Sequence, residues 1–314
     1  MEEAEKDSAK SIAEFVKKVF EKIDHSFEIG GECPNVFWFR GESCDHKEKS
    51  LVPSAYREII TEDINDDDYK INERNKRFDF ERKALPYISS KNIENTNWNK
   101  YFLMQHYKID TRLLDWTENA IKALFFAIKD DDTNDAKVWI LEPFSLNNFT
   151  IGKILNDNTN RYVIPPLSED LVKRIDLLDE ENNLSLTELT RRYLTMDFDK
   201  EKNTKSYYPL AIYPPFLDER MAAQKACFTI FGNERKGLQE VIRLQNEPNA
   251  NKILDYVIID GNSKPKILKE LQLIGIDDSS IYPDLDGLGI SIKRKYKDAY
   301  KSKIEDNKAK QYFG

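Results

Sequence analysis

Cysteine, histidine and glycine are scarce in this 314-residue sequence, with three, three and eleven copies. Cys33, Cys44 and Cys227 form no CxxC pair and leave an odd thiol, which is a poor disulfide framework and points to a reducing compartment. His25, His46 and His106 do not supply the recurring His/Cys spacing of a zinc site. Cys33, Cys44 and His46 make the one local grouping, and no metal is expected. The glycines form neither GxGxxG nor GxxxxGK(S/T), and GxSxG and HExxH are missing as well. These absences disfavour Rossmann and P-loop chemistry, hydrolase elbows and zincin proteases. No run approaches the ~18 apolar residues of a membrane span, and the start MEEAEKDSAKSIAEF is acidic and polar. The expectation is a cytoplasmic protein with no membrane partner.

What is abundant is charge, 33% of residues, with a net charge of −8. That sign argues against a chain held on nucleic acid by its overall field, and leaves room for a local basic groove. Thirty-six aromatics, 17 Phe, 15 Tyr and 4 Trp, exclude disorder as the state of the whole chain. The length suits one large domain or two smaller ones.

Apolar spacings of three and four from Ile12 to Ile23 predict a helix over 8–24. Val36 to Phe39 reads as a buried strand ending at Arg40-Gly41. Helices are expected over 68–89, with Phe78, Phe80, Ala84, Leu85 and Ile88 as its contacts, and from Trp98 to Tyr107. Asp115 with Glu118 three residues on has the pattern of a capping box, so Asp115 is expected to open the helix carrying Ala120, Ile121, Leu124, Phe125 and Ile128. Trp116, Phe125 and Phe126 read as core. Val138–Leu141, Leu210–Tyr213, Cys227–Phe231 and Leu254–Ile259 read as strands, and 143–207 as a helical insertion with helices near 168–178 and 185–196. Helices near 235–244, at 264–274 and over a basic 285–304 complete the reading. Strands and helices without regular alternation give α+β as the fold class, with a mixed central sheet packed by helices.

Polar groups set among apolar runs are costly unless paired or used, and three such clusters stand out. They lie in WFRGES at 38–43, QHYKIDTRLLDWTENAIKALFFA at 105–127 and ERMAAQKACFTIFG at 219–232; IYPDLDGL at 281–288 is a further distinctive segment. With these motifs the chain resembles the FRG domain family over about 30–290. Lys108-Ile109-Asp110 stands where members of the family often have Gly-Leu-Pro. The resemblance divides the chain into an N-terminal helix (1–29), an FRG-like domain (30–290) with its insertion around 143–207, and a C-terminal helix and tail (291–314).

More distantly, Arg40-Gly41 at a strand end, followed by the segment from Thr111 to Ala127, is similar to ADP-ribosyltransferases. That likeness implies an ADP-ribosyltransferase-like sheet and NAD as substrate. Nicotinamide leaves through an oxocarbenium-like ribosyl cation, so such a site wants a carboxylate near C1′ and a cation on the diphosphate. Arginine suits the diphosphate through its bidentate fork. On this reading Arg40, Gly41, Tyr107, Thr111, Arg112 and Gln224 bind NAD, and Asp115, Glu42 and His106 are catalytic. No ExE or QxE pair is evident near the chain end, so Glu42, Asp115, Glu219 or Gln224 must take that work.

The expected function is that of a toxin or phage-defence effector modifying a macromolecule, with RNA or DNA as acceptor and an antitoxin or regulatory protein as partner. The alternative is a non-catalytic nucleotide-sensing or interaction module. Packing readings compete at each residue: Arg40 pairs with Asp115 or Glu42, Arg112 locks the Asp115 loop, and the basic run 293–301 is a solvated face.

Overall fold

The computed structural model of the chain describes residues 7–24, 36–44, 49–59, 64–90, 93–130, 133–156, 163–167, 177–179, 184–197, 207–245, 250–297 and 300. Its strands in chain order are β1 (Trp38–Glu42), β2 (Leu113–Thr117), β3 (Ala136–Leu141), β4 (Leu177–Asp179), β5 (Leu184–Ser185), β6 (Leu210–Ile212), β7 (Ala226–Ile230) and β8 (Leu254–Ile259). Six of them form one sheet in the order β6-β7-β2-β1-β3-β8, and β4 pairs with β5 alone. Every ladder is antiparallel; parallel pairing is confined to single bridges at Ala9–Ile259 and Pro166–Tyr213. The class is α+β.

Around the sheet stand α1 (Ile12–Ile23), α2 (Ser54–Arg57), α3 (Asp66–Ser90), α4 (Asn97–His106), α5 (Ala120–Ile128), α6 (Pro143–Leu155), α7 (Leu186–Thr195), α8 (Glu219–Gln224), α9 (Leu238–Leu244), α10 (Ala250–Ile253), α11 (Lys264–Leu273) and α12 (Asp278–Ile281). Residues 285–297 are helical too. The amphipathic stripe of α1 buries Phe15, Val19 and Ile23, and Ser11 caps it by accepting from the Glu14 amide. That face packs into the same core as Phe125, Val138 and Ile259, and the Ile12 amide donates to Glu270. A second cluster joins Trp38, Trp139, Tyr56, Leu114 and Cys227, and a third joins Tyr101, Phe102, Leu113, Tyr193 and Phe228.

Several expectations are corrected. Asp115 does not cap a helix; it is the third residue of β2, and Asn119 caps α5 by accepting from the Ile121 and Lys122 amides. The Asp-x-x-Glu spacing misleads because β2 is buried at Leu113, Leu114, Trp116 and Thr117, on both faces, and so lacks the alternation of a half-exposed strand. Arg40-Gly41 does not end β1 either: the strand is paired with β3 through Arg40–Trp139, Gly41–Val138 and Glu42–Lys137. On α3, Ala84 and Ile88 are buried while Phe78 and Leu85 are exposed. Of the helix expected near 168–178, residues 168–176 lie outside the described residues and 177 onward is β4. Cys33, His46 and the tail from 301 also lie outside them.

Candidate functional site: a cleft where the central strands part

The two middle strands, β1 and β2, register at one pair only, Phe39–Thr117. Beyond it the ladder stops, although β1 continues along β3 and β2 continues along β7 for five residues each. In a continued ladder Gly41 would face Asp115; instead the Arg40 guanidinium donates from one terminal nitrogen to the Asp115 carbonyl at 2.8 Å. The opening is a cavity of about 670 Å³, walled by β1, β2, β7, α4 and α8. Its size falls inside the ~300–1,000 Å³ range of small-molecule sites.

Each wall residue has a local reason for its place. Gly41 lies against α5, where a Cβ would collide with the Ala123 carbonyl oxygen and the Ala127 amide nitrogen; glycine lets strand and helix backbones touch. Arg40 is largely buried, with its Nε 3.6 Å from Glu42 Oε1 and without a hydrogen-bond partner. Glu42 accepts from Ser50 Oγ (2.5 Å) and Trp139 Nε1 (2.9 Å) on one oxygen, and from the Leu51 amide on the other. Burial pushes the Glu42 carboxyl up, but Arg40 and these donors outweigh burial and hold it below the usual carboxylate range. Both oxygens of this carboxylate are thus engaged by Ser50, Leu51 and Trp139, with Arg40 as the nearest cation.

Asp115 differs: its side chain is 58% exposed in an otherwise buried strand, and it accepts from Gln105 Nε2 at 2.8 Å. Thr111 Oγ1 donates to the Gln105 carbonyl oxygen, which fixes the amide's orientation toward Asp115. His106 lies on the cleft wall with Nε2 3.3 Å from Asp218, the residue that caps α8. Gln224 ends α8, bonded to the Ile281 carbonyl.

The cavity thus brings together Arg40, Gly41, Glu42, His106, Asp115 and Gln224. It leaves out three expected contacts. Tyr107 stands exposed past the end of α4, edge-on to the His106 ring and off the cavity wall. Thr111 is fully buried and reaches the site through Gln105 and through Ser54. Arg112 is fully buried on the far side of the strand, where its Nε bonds both oxygens of Glu73 at 2.9 Å and its terminal nitrogens reach the carbonyls of Phe231, Tyr193 and Leu194. Arg112 precedes β2 at a bend, and its side chain turns into the core toward Glu73 while Asp115 lies within the strand. Burial alone would lower the Arg112 pKa, but Glu73 raises it above the ordinary value.

Residues that the sequence reading did not assign to the site, Arg220 of the third polar cluster among them, complete the wall. Cations Lys49, Arg57, Lys108, Lys129 and Arg220 join Arg40, against the carboxylates Glu42, Asp110, Asp115 and Asp130. The cleft is therefore net cationic in a chain of net charge −8. Arg220 lies over the ring of Tyr282 at 4.4 Å, so the IYPDLDGL segment helps to hold a cleft arginine. Phe39, Phe102, Phe126 and Phe228 add aromatic surface. Among the described residues no group of three or more His, Cys, Asp or Glu side chains is placed to hold a metal, and no helix is long and apolar enough to cross a membrane.

Compared with known proteins, residues 35–136 match the model of the FRG domain. No curated protein and no solved structure matches the chain. The matched stretch carries β1, β2 and the helices between them, hence Arg40, Glu42, Gln105, His106 and Asp115, so the part of the chain that is similar to the FRG domain supplies one side of the cleft.

Proposed function

We propose that the cleft binds NAD and transfers its ADP-ribosyl group to a macromolecule, as a toxin or phage-defence effector acting on RNA or DNA. The observation that carries the reading is an exposed carboxylate, Asp115, fixed by Gln105 beside a largely buried arginine in a net cationic, aromatic-lined cleft. Departure of nicotinamide leaves positive charge at C1′ of the ribose, which a preoriented carboxylate stabilises. Asp115 takes that role, since the oxygens of Glu42 are engaged by Ser50, Leu51 and Trp139. Arg40 binds the diphosphate. His106 and Gln224 flank the bound nucleotide from α4 and α8.

Incubation with labelled NAD and cell extract tests this. Nicotinamide release with label on nucleic acid is expected, and Asp115→Asn should cut it by about 10²–10³-fold. Absence of both release and transfer with the unaltered protein overturns the reading. A second reading, a nucleotide sensor signalling to a regulatory partner, is favoured by the engagement of Glu42, whose oxygens are held by Ser50, Leu51 and Trp139. Stabilisation by NAD or ADP-ribose without turnover would decide for the sensor.

A further inference from the structure

We propose that Arg40 and Arg57 form a two-arginine subsite for the diphosphate of a small nucleotide, with Arg57 supplied by the loop and short helix that follow β1. The inference rests on the reading of the cleft as a nucleotide site. Its ground is a pair of guanidinium groups lining one cavity, most of whose donors take no hydrogen bond among the described residues. Arg57 is half-buried and makes one hydrogen bond among the described residues, from Nε to the Val52 carbonyl at 2.9 Å. Among the described residues its terminal nitrogens take no hydrogen bond, and the side chain lines the cleft. Arg40 gives one terminal nitrogen to the Asp115 carbonyl, and its Nε has no hydrogen-bond partner.

The charges around them do not close the account. Glu42 lies 3.6 Å from Arg40 with its oxygens taken by other donors, and Asp115 Oδ2 is 4.0 Å away and bonded to Gln105. Burial, then the neighbouring positive charge of Arg40, holds Arg57 below the ordinary guanidinium value, despite Glu42, Asp115 and Asp110 acting the other way. Two like charges held together without ligand are repulsive, and a dianionic group between them relieves that repulsion while accepting the idle N–H groups bidentately. Lys49 on the same wall adds a third cation.

Titration calorimetry at low salt with inorganic pyrophosphate, ADP and adenosine tests the subsite. Pyrophosphate and ADP should bind and adenosine bind far more weakly. Arg57→Gln should lower pyrophosphate affinity at least ~10-fold, with Arg57→Lys recovering only part, because the charge returns without the planar fork. Arg57→Lys also guards against a folding defect, being checked by its melting temperature. Unaltered pyrophosphate affinity in Arg57→Gln, no pyrophosphate binding by the unaltered protein, or tighter binding per phosphate of a single-stranded oligonucleotide would each overturn the assignment. Pyrophosphate binding that depends on Arg57 without NAD turnover keeps the subsite and removes only the transferase reading.

Discussion

Arg112 and Arg40 are both arginines in strongly polar motifs, yet one is buried in the core and the other lines the cleft. Arg112 ties α3, α7 and the end of β7 together, with Glu73 as its buried counter-ion. Removing one member of a buried pair leaves an uncompensated charge, so Glu73→Ala should cost roughly 3–5 kcal/mol and show as a lowered midpoint in urea unfolding. An unchanged midpoint would mean that the pair carries no stability. Arg40, by contrast, faces a cavity, and Arg40→Lys should keep the fold while weakening ligand binding. The sequence displayed both arginines in equal prominence; which one lines the cleft is decided by the long-range packing of β1 and of the bend before β2, which local spacing does not show. Glu73 could not be chosen from the many acids of α3 without knowing that the helix crosses beneath Arg112.

At the scale of elements, α1, α5, β3, β8 and α11 were legible because apolar spacing and stop signals agree in each: Pro143 opens α6 directly after β3, and Gly275 at φ +85° follows α11. The cleft was not legible, since it arises from the parting of β1 and β2, two strands more than seventy residues apart in sequence. Gly41 marks where an element pair is tightest. Gly41→Ala must push β1 off the backbone of α5, and overpacking of this kind costs about 1–3 kcal/mol, readable as a fall in melting temperature. The start of α6 carries a pH signature. Glu142 caps that helix through the Ser145 amide, and burial lifts its carboxyl to about 7. A carboxyl raised on folding favours the protonated form, so stability from this group is full at low pH and is lost as pH climbs from the unfolded value near 4.5 through 7. Glu142→Gln should therefore gain on the unaltered protein by about 1–2 kcal/mol at pH 8, solvent screening included, and gain nothing at pH 4. Equal melting temperatures at both pH values would count against it.

Viewed as a whole molecule, the sheet consists of two three-stranded halves, β6-β7-β2 and β1-β3-β8, each fully laddered and joined across the middle by the Phe39–Thr117 pair and the Arg40 bond to Asp115. Helix α5 follows β2 and packs over β1 and β3, and its Phe126 and C-cap Lys129 reach the cleft wall. A ligand that binds Arg40 and Asp115 touches both halves at once and so opposes their separation. ADP-ribose at 100 times its dissociation constant should add ~2.7 kcal/mol of stability. The location of that gain is the sharper measurement. Hydrogen exchange in Phe39–Glu42 and Leu113–Thr117 should slow with ligand, because those strands border the seam, while β4–β5, remote from the cleft wall, keeps its free rates. Slowing spread evenly over the whole sheet would mean that ligand acts on global unfolding alone, and that the parted strands form a rigid wall rather than a joint.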